Sequence, residues 1–346
     1  MPQKATLNIK PKQVTKRLIS VLPERARDVI IKRYGLDGDD KMTLEAIGAK
    51  YKITRERVRQ IEKYSLANIV KSDAYKKEKD AFSELEDTMK SFGGIVPEVD
   101  FLDFISKDKS VQNHTHFLLV LGQAFKKRKE DDHFEHRWYL DDAVAKKIED
   151  SLHKLYENLS DDALIPESEM IASFMDHLKD ISDDYKEDEI LKRWMSLSKK
   201  MGKNPLGEWG PVSSSNVKAK GIRDYAYLVI RQHGSPMHFR EVAEKISEIF
   251  DREAHVATCH NELIKDPRFI LVGRGLYALA EWGYKTGIVK DVIRDIMKKE
   301  SKSLSKQEII DKVLKERYVK PNTIMVNLQD SKSFKREKDG RYSVKR

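Results

Sequence analysis

Near the start of the chain, apolar residues recur three or four positions apart in three successive runs, and each run predicts a helix. In LPERARDVIIKRYGL, Ala26, Val29, Ile30 and Tyr34 fall on one side, Pro23 stands at a first helical position, and Gly35 offers a left-handed stop. In LEAIGAKY, Leu44, Ile47 and Tyr51 share a face behind Thr43, a natural N-cap. The third run, TRERVRQIE, starts from Thr54 as a second cap and turns Val58 and Ile61 inward. Arg55, Glu56 and Gln60 are left along a polar face. Lys52 and Ile53 make the turn between the last two runs, so the pair predicts a helix-turn-helix inside a small helical domain from about Val14 to Val70.

The rest of the chain predicts a degenerate repeat. Phe269 with Tyr277 and Phe334 with Tyr342 are two pairs of equal internal spacing, 65 residues apart, bracketing ILVGRGL and KREKDGR; each is an extended run with a glycine turn. Before each hairpin lie two helical patterns, HFREVAEKI then VATCHNELI, and SKQEIIDKV then PNTIMVNLQ, with Thr258 and Thr323 in matching places. Ile95-Val96-Pro97-Glu98 and Leu164-Ile165-Pro166-Glu167 open similar helices 69 residues apart, and Pro236 follows after another 70. NHTHFLLVLGQAF and DEILKRWMSLSKKMG then supply third helices, with KKRKEDDHFEHRWYL and a shortened NPLGEWG as wings.

LPERARDVIIKRYGLDG, TLEAIG and TRERVRQIE, in this order, resemble the C-terminal DNA-binding region (region 4) of primary-type bacterial sigma factors of the sigma-70 family, which reads the minus-35 promoter element. The resemblance implies that Arg55, Glu56 and Gln60 touch base edges, while Thr54, Arg57, Arg59 and Lys63 hold phosphates. The chemistry agrees: Arg suits guanine, Gln suits adenine, Glu accepts from cytosine, and the remaining cations position the helix. Two departures qualify the target. Lys52 stands where such proteins carry Gly, placing a side chain at a left-handed position at a cost of about 1 kcal/mol, and the helix runs on as KYSLANIV without the family's further basic residues. The module also opens this chain where a sigma factor ends with it, and no aromatic-rich promoter-melting segment is found. A complete initiation factor is therefore not expected.

Residues Gly221 to Trp282 resemble the HARE-HTH family of winged helices, which also occurs in the delta subunit of bacterial RNA polymerase and fused to restriction and DNA-modification proteins. The likeness implies association with DNA or polymerase. Arg274, between two glycines of the expected wing, would project to a phosphate or minor groove, or simply to solvent.

Charge refines this picture. Residues 1–76 carry 18 Lys and Arg against 9 Asp and Glu, 77–215 carry 20 against 30, and 216–346 carry 28 against 18. Both basic segments suit phosphate and the acidic middle repels it. In the last segment Lys335, Arg336, Lys338 and Arg341 cluster in one expected wing. No apolar run approaches a membrane span, no signal peptide opens the chain, and a lone Cys259 excludes a disulfide framework. Localisation is expected to be cytoplasmic and nucleoid-associated. Enzymatic constellations are weak. His255, Cys259 and His260 are poorly phased for one metal, His133 and His136 fall in an expected wing, and Asp330 with Glu337 lies at a helix end and a hairpin. No catalysis, cofactor or metal is expected.

The predicted fold is mainly α: an N-terminal helix-turn-helix (1–76) followed by tandem winged helix-turn-helix modules with short β-hairpin wings over 77–142, 143–215, 216–285 and 286–346. Each module is expected to own a small core, with protease-sensitive junctions near 71–79, 211–220 and around 286. The leading function is a bacterial-type transcription factor binding double-stranded promoter-like DNA. Its acidic middle serves as a spacer or as a docking surface for RNA polymerase, and the oligomeric state is open. The competing classes are a sequence-neutral architectural DNA-binding protein and a polymerase accessory subunit with little DNA contact.

Overall fold

The computed structural model describes residues 8–38, 40–178, 185, 187–284, 288–300 and 302–345. Among them the protein is mainly helical with small antiparallel sheets, and no helix is long and apolar enough to cross a membrane. It divides into two units, Met1–Gly202 with Trp209–Val212, and Lys203–Glu208 with Ser213–Arg346.

The first unit opens with α1 (Pro11–Ile19), α2 (Glu24–Tyr34), α3 (Leu44–Tyr51) and α4 (Arg55–Lys71). Pro23 sits one position earlier than the sequence placed it, as the N-cap of α2, and Gly35 ends that helix at φ 62°. The two faces of α2 serve different cores. Val29 packs with Ile47 and Val58 inside the helix-turn-helix, while the neighbouring Ile30 and Tyr34 join a larger cluster. Next come α5 (Asp73–Lys77), α6 (Lys79–Ser91), β1 (Ile95–Pro97), α7 (Glu98–Ile105), α8 (Lys109–Leu121), β2 (Lys126–Arg128) and β3 (Arg137–Tyr139).

The larger cluster runs from Val14 and Leu18 of α1 through Ile69 of α4 and Leu85 of α6 to Phe101, Phe117 and Trp138. One core therefore passes through 71–79, where two separate cores were expected. The reason lies in α8, whose Asn113, Thr115, Phe117, Leu118, Leu119 and Leu121 are all buried: a helix apolar on nearly every side must be covered on every side. Its Asn113 donates to the carbonyl of Gly35 at 3.1 Å. As the third helix of its repeat, α8 is closed to a DNA groove.

The unit continues with α9 (Asp142–Glu157), α10 (Glu167–Asp176), α11 (Asp188–Met195) and a hairpin of β4 (Met201–Lys203) and β5 (Trp209–Pro211). The sheet ordered β1-β3-β2 has two covered faces. Val96 and Trp138 point into the first core, and Ile95 and Tyr139 point into a second core with Ile148, Phe174 and Trp194. Alternation of side chains along the strands produces this division. The hairpin expected at KKRKEDDHFEHRWYL forms, with all three residues of β3 buried and β2 and most of the connecting loop exposed.

The second unit holds α12 (Ile222–His233), β6 (Met237–His238), α13 (Phe239–Phe250), α14 (Val256–Lys265), β7 (Phe269–Leu271) and β8 (Leu276–Leu279). These are followed by α15 (Val289–Glu300), α16 (Lys306–Glu316), α17 (Pro321–Leu328), β9 (Phe334–Arg336) and β10 (Tyr342–Val344). The junction expected around residue 286 lies outside the described residues.

Among the described residues, three helices followed by a hairpin occur in this order four times, beginning at α6, α9, α12 and α15. An internal register accompanies the order. Val96 pairs with Trp138, Ile165 with Trp209, Met237 with Tyr277, and Leu304 with Tyr342. In each case the next residue, Pro97, Pro166, His238 or Ser305, is the N-cap of the second helix. An aromatic in the hairpin thus lies across the entry of that helix. In the third copy the cap is His238, whose Nδ1 accepts from the Arg240 N–H at 3.3 Å; Pro236, the residue chosen from sequence, lies two positions earlier.

Candidate nucleic-acid interface

The polar face of α4 is set by three local devices. Thr43 Oγ1 accepts from the Ala46 N–H and Thr54 Oγ1 from the Arg57 N–H, both at 3.1 Å, so both helices of the motif begin on the expected caps. The intervening turn passes through Lys52 in the left-handed region at φ 53°. Gly48 allows the approach: a Cβ there would lie 2.7 Å from the Ile53 carbonyl oxygen, and the Ile53 N–H donates to the Gly48 carbonyl at 2.9 Å. Gly48→Ala is expected to lower stability by about 1–3 kcal/mol through this overpacking, measured by chemical denaturation. Unchanged stability would refute the close crossing of α3 and α4.

Burial follows the predicted phase. Val58 is fully buried, and Arg55, Glu56, Arg57, Arg59, Gln60 and Lys63 are exposed. The helix is oriented from behind by Glu62, whose Oε1 accepts from the Tyr34 hydroxyl at 3.0 Å and Arg33 Nε at 3.3 Å. Burial, and then the Glu62 charge, push the Tyr34 phenol well above its ordinary range.

The candidate readers are paired with one another. Arg59 donates both arms of its fork to Glu56 at 2.8 Å, holding that carboxyl below its usual range. Arg57 donates to Gln60 Oε1 at 3.1 Å, and Arg55 Nε lies 2.9 Å from Glu45 of α3. Exposed pairs of this kind contribute little to stability, because solvent screens them. Such pairs are readily exchanged for other partners of the exposed face.

Residues 18–70 match the family model described as Sigma-70, region 4. The region 4 segment contains every one of these side chains. The chain is 36% identical over 70 residues to the RNA polymerase principal sigma factor HrdD of Streptomyces viridifaciens, covering 20% of this chain and 21% of that protein. It is 43% identical over 61 residues to the RNA polymerase sigma factor RpoS of Coxiella burnetii, covering 18% and 17%. To the RNA polymerase sigma factor SigA1 of Synechococcus elongatus it is 48% identical over 52 residues, covering 15% and 13%. The chain thus spans about a fifth or less of the length of these curated relatives. No solved structure matches it.

Two residues of the region 4 segment were missed from sequence. Tyr64 is 70% exposed, one helical turn beyond Gln60, where a phenol ring extends the polar face. An aromatic four positions after a reader, on the side opposite Val58, was the available signal. Glu45, the partner of Arg55, comes from the preceding helix and carried no periodic signal.

In the second unit, Arg274 is exposed at the tip between β7 and β8. With Leu271, Ile288, Leu314 and Tyr318 it lines an open cavity of about 1040 Å³. Lys335, Arg336, Lys338 and Arg341 all lie exposed on the β9–β10 hairpin. Lys335 is 3.3 Å from Glu337 and Arg341 3.8 Å from Asp339. The weak chemical candidates do not assemble. Burial pushes the Cys259 thiol up to about 12, His255 is exposed, and His260 stacks on Phe239 at 4.2 Å. Asp330 is paired with Lys290, and Glu337 accepts from Ser343 at 2.7 Å. Among the described residues no group of three or more His, Cys, Asp or Glu is placed to hold a metal ion.

Proposed function

We propose that this protein is a DNA-binding transcription factor that reads promoter-like duplex DNA through α4 and works in association with RNA polymerase. The observation that carries the reading is the exposed face of Arg55, Glu56 and Gln60 on a capped second helix, within residues 18–70 that match Sigma-70, region 4. Thr54, Arg57, Arg59 and Lys63 hold phosphates, Thr54 donating its hydroxyl hydrogen while its oxygen caps the helix. The relatives' descriptions as RNA polymerase sigma factors support the polymerase association.

The four recurring helix–helix–helix–hairpin stretches are read as winged-helix modules, the third of HARE-HTH type. The recurrent aromatic-to-apolar register supports that reading. The exposed hairpin cations Arg274, Lys335, Arg336, Lys338 and Arg341 add backbone contacts, and the acidic middle docks protein. The role is binding, without catalysis.

Replacing Arg55 or Gln60 by Ala is expected to cost about 1–3 kcal/mol on the preferred site and much less on scrambled DNA. Arg57→Ala and Arg59→Ala weaken both duplexes alike, since phosphates carry no sequence information. Titrations at fixed salt on a selected and a scrambled duplex measure this. Equal losses on both for Arg55 and Gln60 would transfer the protein to the architectural class.

A further inference from the structure

The last repeat presents its charge in an unexpected place. α17, the third helix of this copy, contains no charged residue in PNTIMVNL, and its Val326 is 66% exposed. A helix of that composition is a poor partner for phosphates. Charge gathers instead in an open cleft of about 870 Å³. Arg294 and Lys298 of α15, Lys302 just past its end, Lys332 before β9 and Lys345 after β10 line it, with Ser303, Ser333 and Ser343.

None of the lining residues is acidic. Four of the repeat's carboxylates are paired: Glu300 with Lys312 at 2.6 Å, Asp330 with Lys290, Glu337 with Lys335, and Asp291 with the lining Arg294 at 3.3 Å. Arg294 also approaches Ser333 Oγ at 3.5 Å, and Lys345 Nζ approaches the Ser331 carbonyl at 3.4 Å.

Five cations facing one cleft repel each other, and a polyanion relieves that repulsion while releasing its own counterions. Arg294 and Lys298 are four residues apart on one face of α15, a rise of about 6 Å along the axis, the scale on which successive phosphates of one strand follow each other. Lys302 lines the same cleft just past the helix end. A single small anion would touch one or two of these groups; an extended phosphodiester chain reaches them all, and the serine hydroxyls suit its oxygens.

We propose that the cleft between α15 and β10 binds the phosphodiester backbone of DNA, adding a second, sequence-neutral contact beyond the hairpin tip. This rests on the DNA-binding reading above for its choice of polyanion. In the full chain, the quadruple variant Lys298→Ala, Lys302→Ala, Lys332→Ala, Lys345→Ala is titrated by fluorescence anisotropy on a random-sequence duplex across a salt series. All four residues are exposed, so the fold is retained. Each lost phosphate contact lowers the slope of log K against log salt by about 0.9, so a fall of about 2–4 is expected. The matching Lys→Arg quadruple keeps the wild-type slope. A wild-type slope in the alanine variant overturns the proposal. So does an Arg variant that behaves like the Ala variant, or a wild-type chain that ignores random duplex at low salt. Failure of α4 to read bases is seen in a different comparison, selected against scrambled duplex, and leaves this slope untouched.

Discussion

Arg137→Ala is expected to lower the stability of the first unit by about 1–3 kcal/mol, the cost of taking one of two cations from a buried carboxylate and leaving hydrogen-bond acceptors unpaired. The Arg137 side chain is 4% exposed and uses four of its five N–H donors inside the fold. Nε donates to Glu149 at 2.5 Å, one terminal nitrogen to the carbonyls of Glu135 and Lys129 at 3.0 and 3.3 Å, and the other to Asp131 at 3.1 Å. Glu149 is shared with Arg128, which also holds Asp142 at 2.7 Å. Truncation strands Glu149 beside one cation and leaves two carbonyls unpaired. Replacing the pair together, Arg137→Met with Glu149→Leu, recovers part of the loss, because no buried charge is then left alone. By contrast, Lys335→Ala or Lys338→Ala on the exposed β9–β10 hairpin changes stability by less than about 0.5 kcal/mol. Urea denaturation of the four variants compares a buried strand's ion pair with an exposed hairpin's. An Arg137→Ala protein as stable as wild type would show that the Arg137–Glu149 contact does not hold β3 in place.

Acid is expected to destabilise the same unit between pH 6.5 and about 4 through His116. Burial, and then the nearby positive charge of Lys41, depress its imidazole to about 4 against the ordinary 6.5; Glu98 pulls the other way, and Lys127 and Arg33 add to the depression. The unfolded chain therefore takes up the proton before the folded chain does. The contribution of His116 is complete above pH 6.5 and is lost as pH falls toward 4, by at most about 3 kcal/mol at about 1.4 kcal/mol per pH unit. Glu98 acts in the same direction at lower pH. Burial works to raise its carboxyl, but hydrogen bonds from Lys127 and from Trp138 Nε1 at 2.8 Å, with the charge of His116, hold it below its usual range. Thermal midpoints between pH 7 and pH 4.5 in wild type and His116→Asn measure the effect. The wild type loses stability steeply over this window and the variant loses less. Parallel curves would remove His116 as the cause.

The helix-turn-helix was legible because its determinants are local. Thr43 and Thr54 cap, Gly35 terminates, Lys52 turns left-handed, and Val58 marks the buried phase, each acting within one helical turn. The exposure of Arg55, Glu56 and Gln60 follows from that phase alone. Their pairing with Glu45, Arg59 and Arg57 depends on side-chain reach between and along helices, which periodicity does not encode.

By itself the sequence determined the order of helices and hairpins, the two caps of the candidate DNA-reading motif and the alternation of basic and acidic segments. These follow from φ preferences, hydrophobic period and charge, all properties of neighbouring residues. Tertiary structure decided which surfaces remain open. It buried most of α8, covered both faces of β1 and β3, joined α1, α2 and the end of α4 to the next repeat in one core, and gathered Arg294, Lys298, Lys302, Lys332 and Lys345 around one cleft. A hairpin rich in Lys and Arg reads alike whether it faces solvent or a neighbouring core. The difference is made by elements distant in the chain, which offer Glu149 to Arg137 and a second apolar layer to Ile95 and Tyr139.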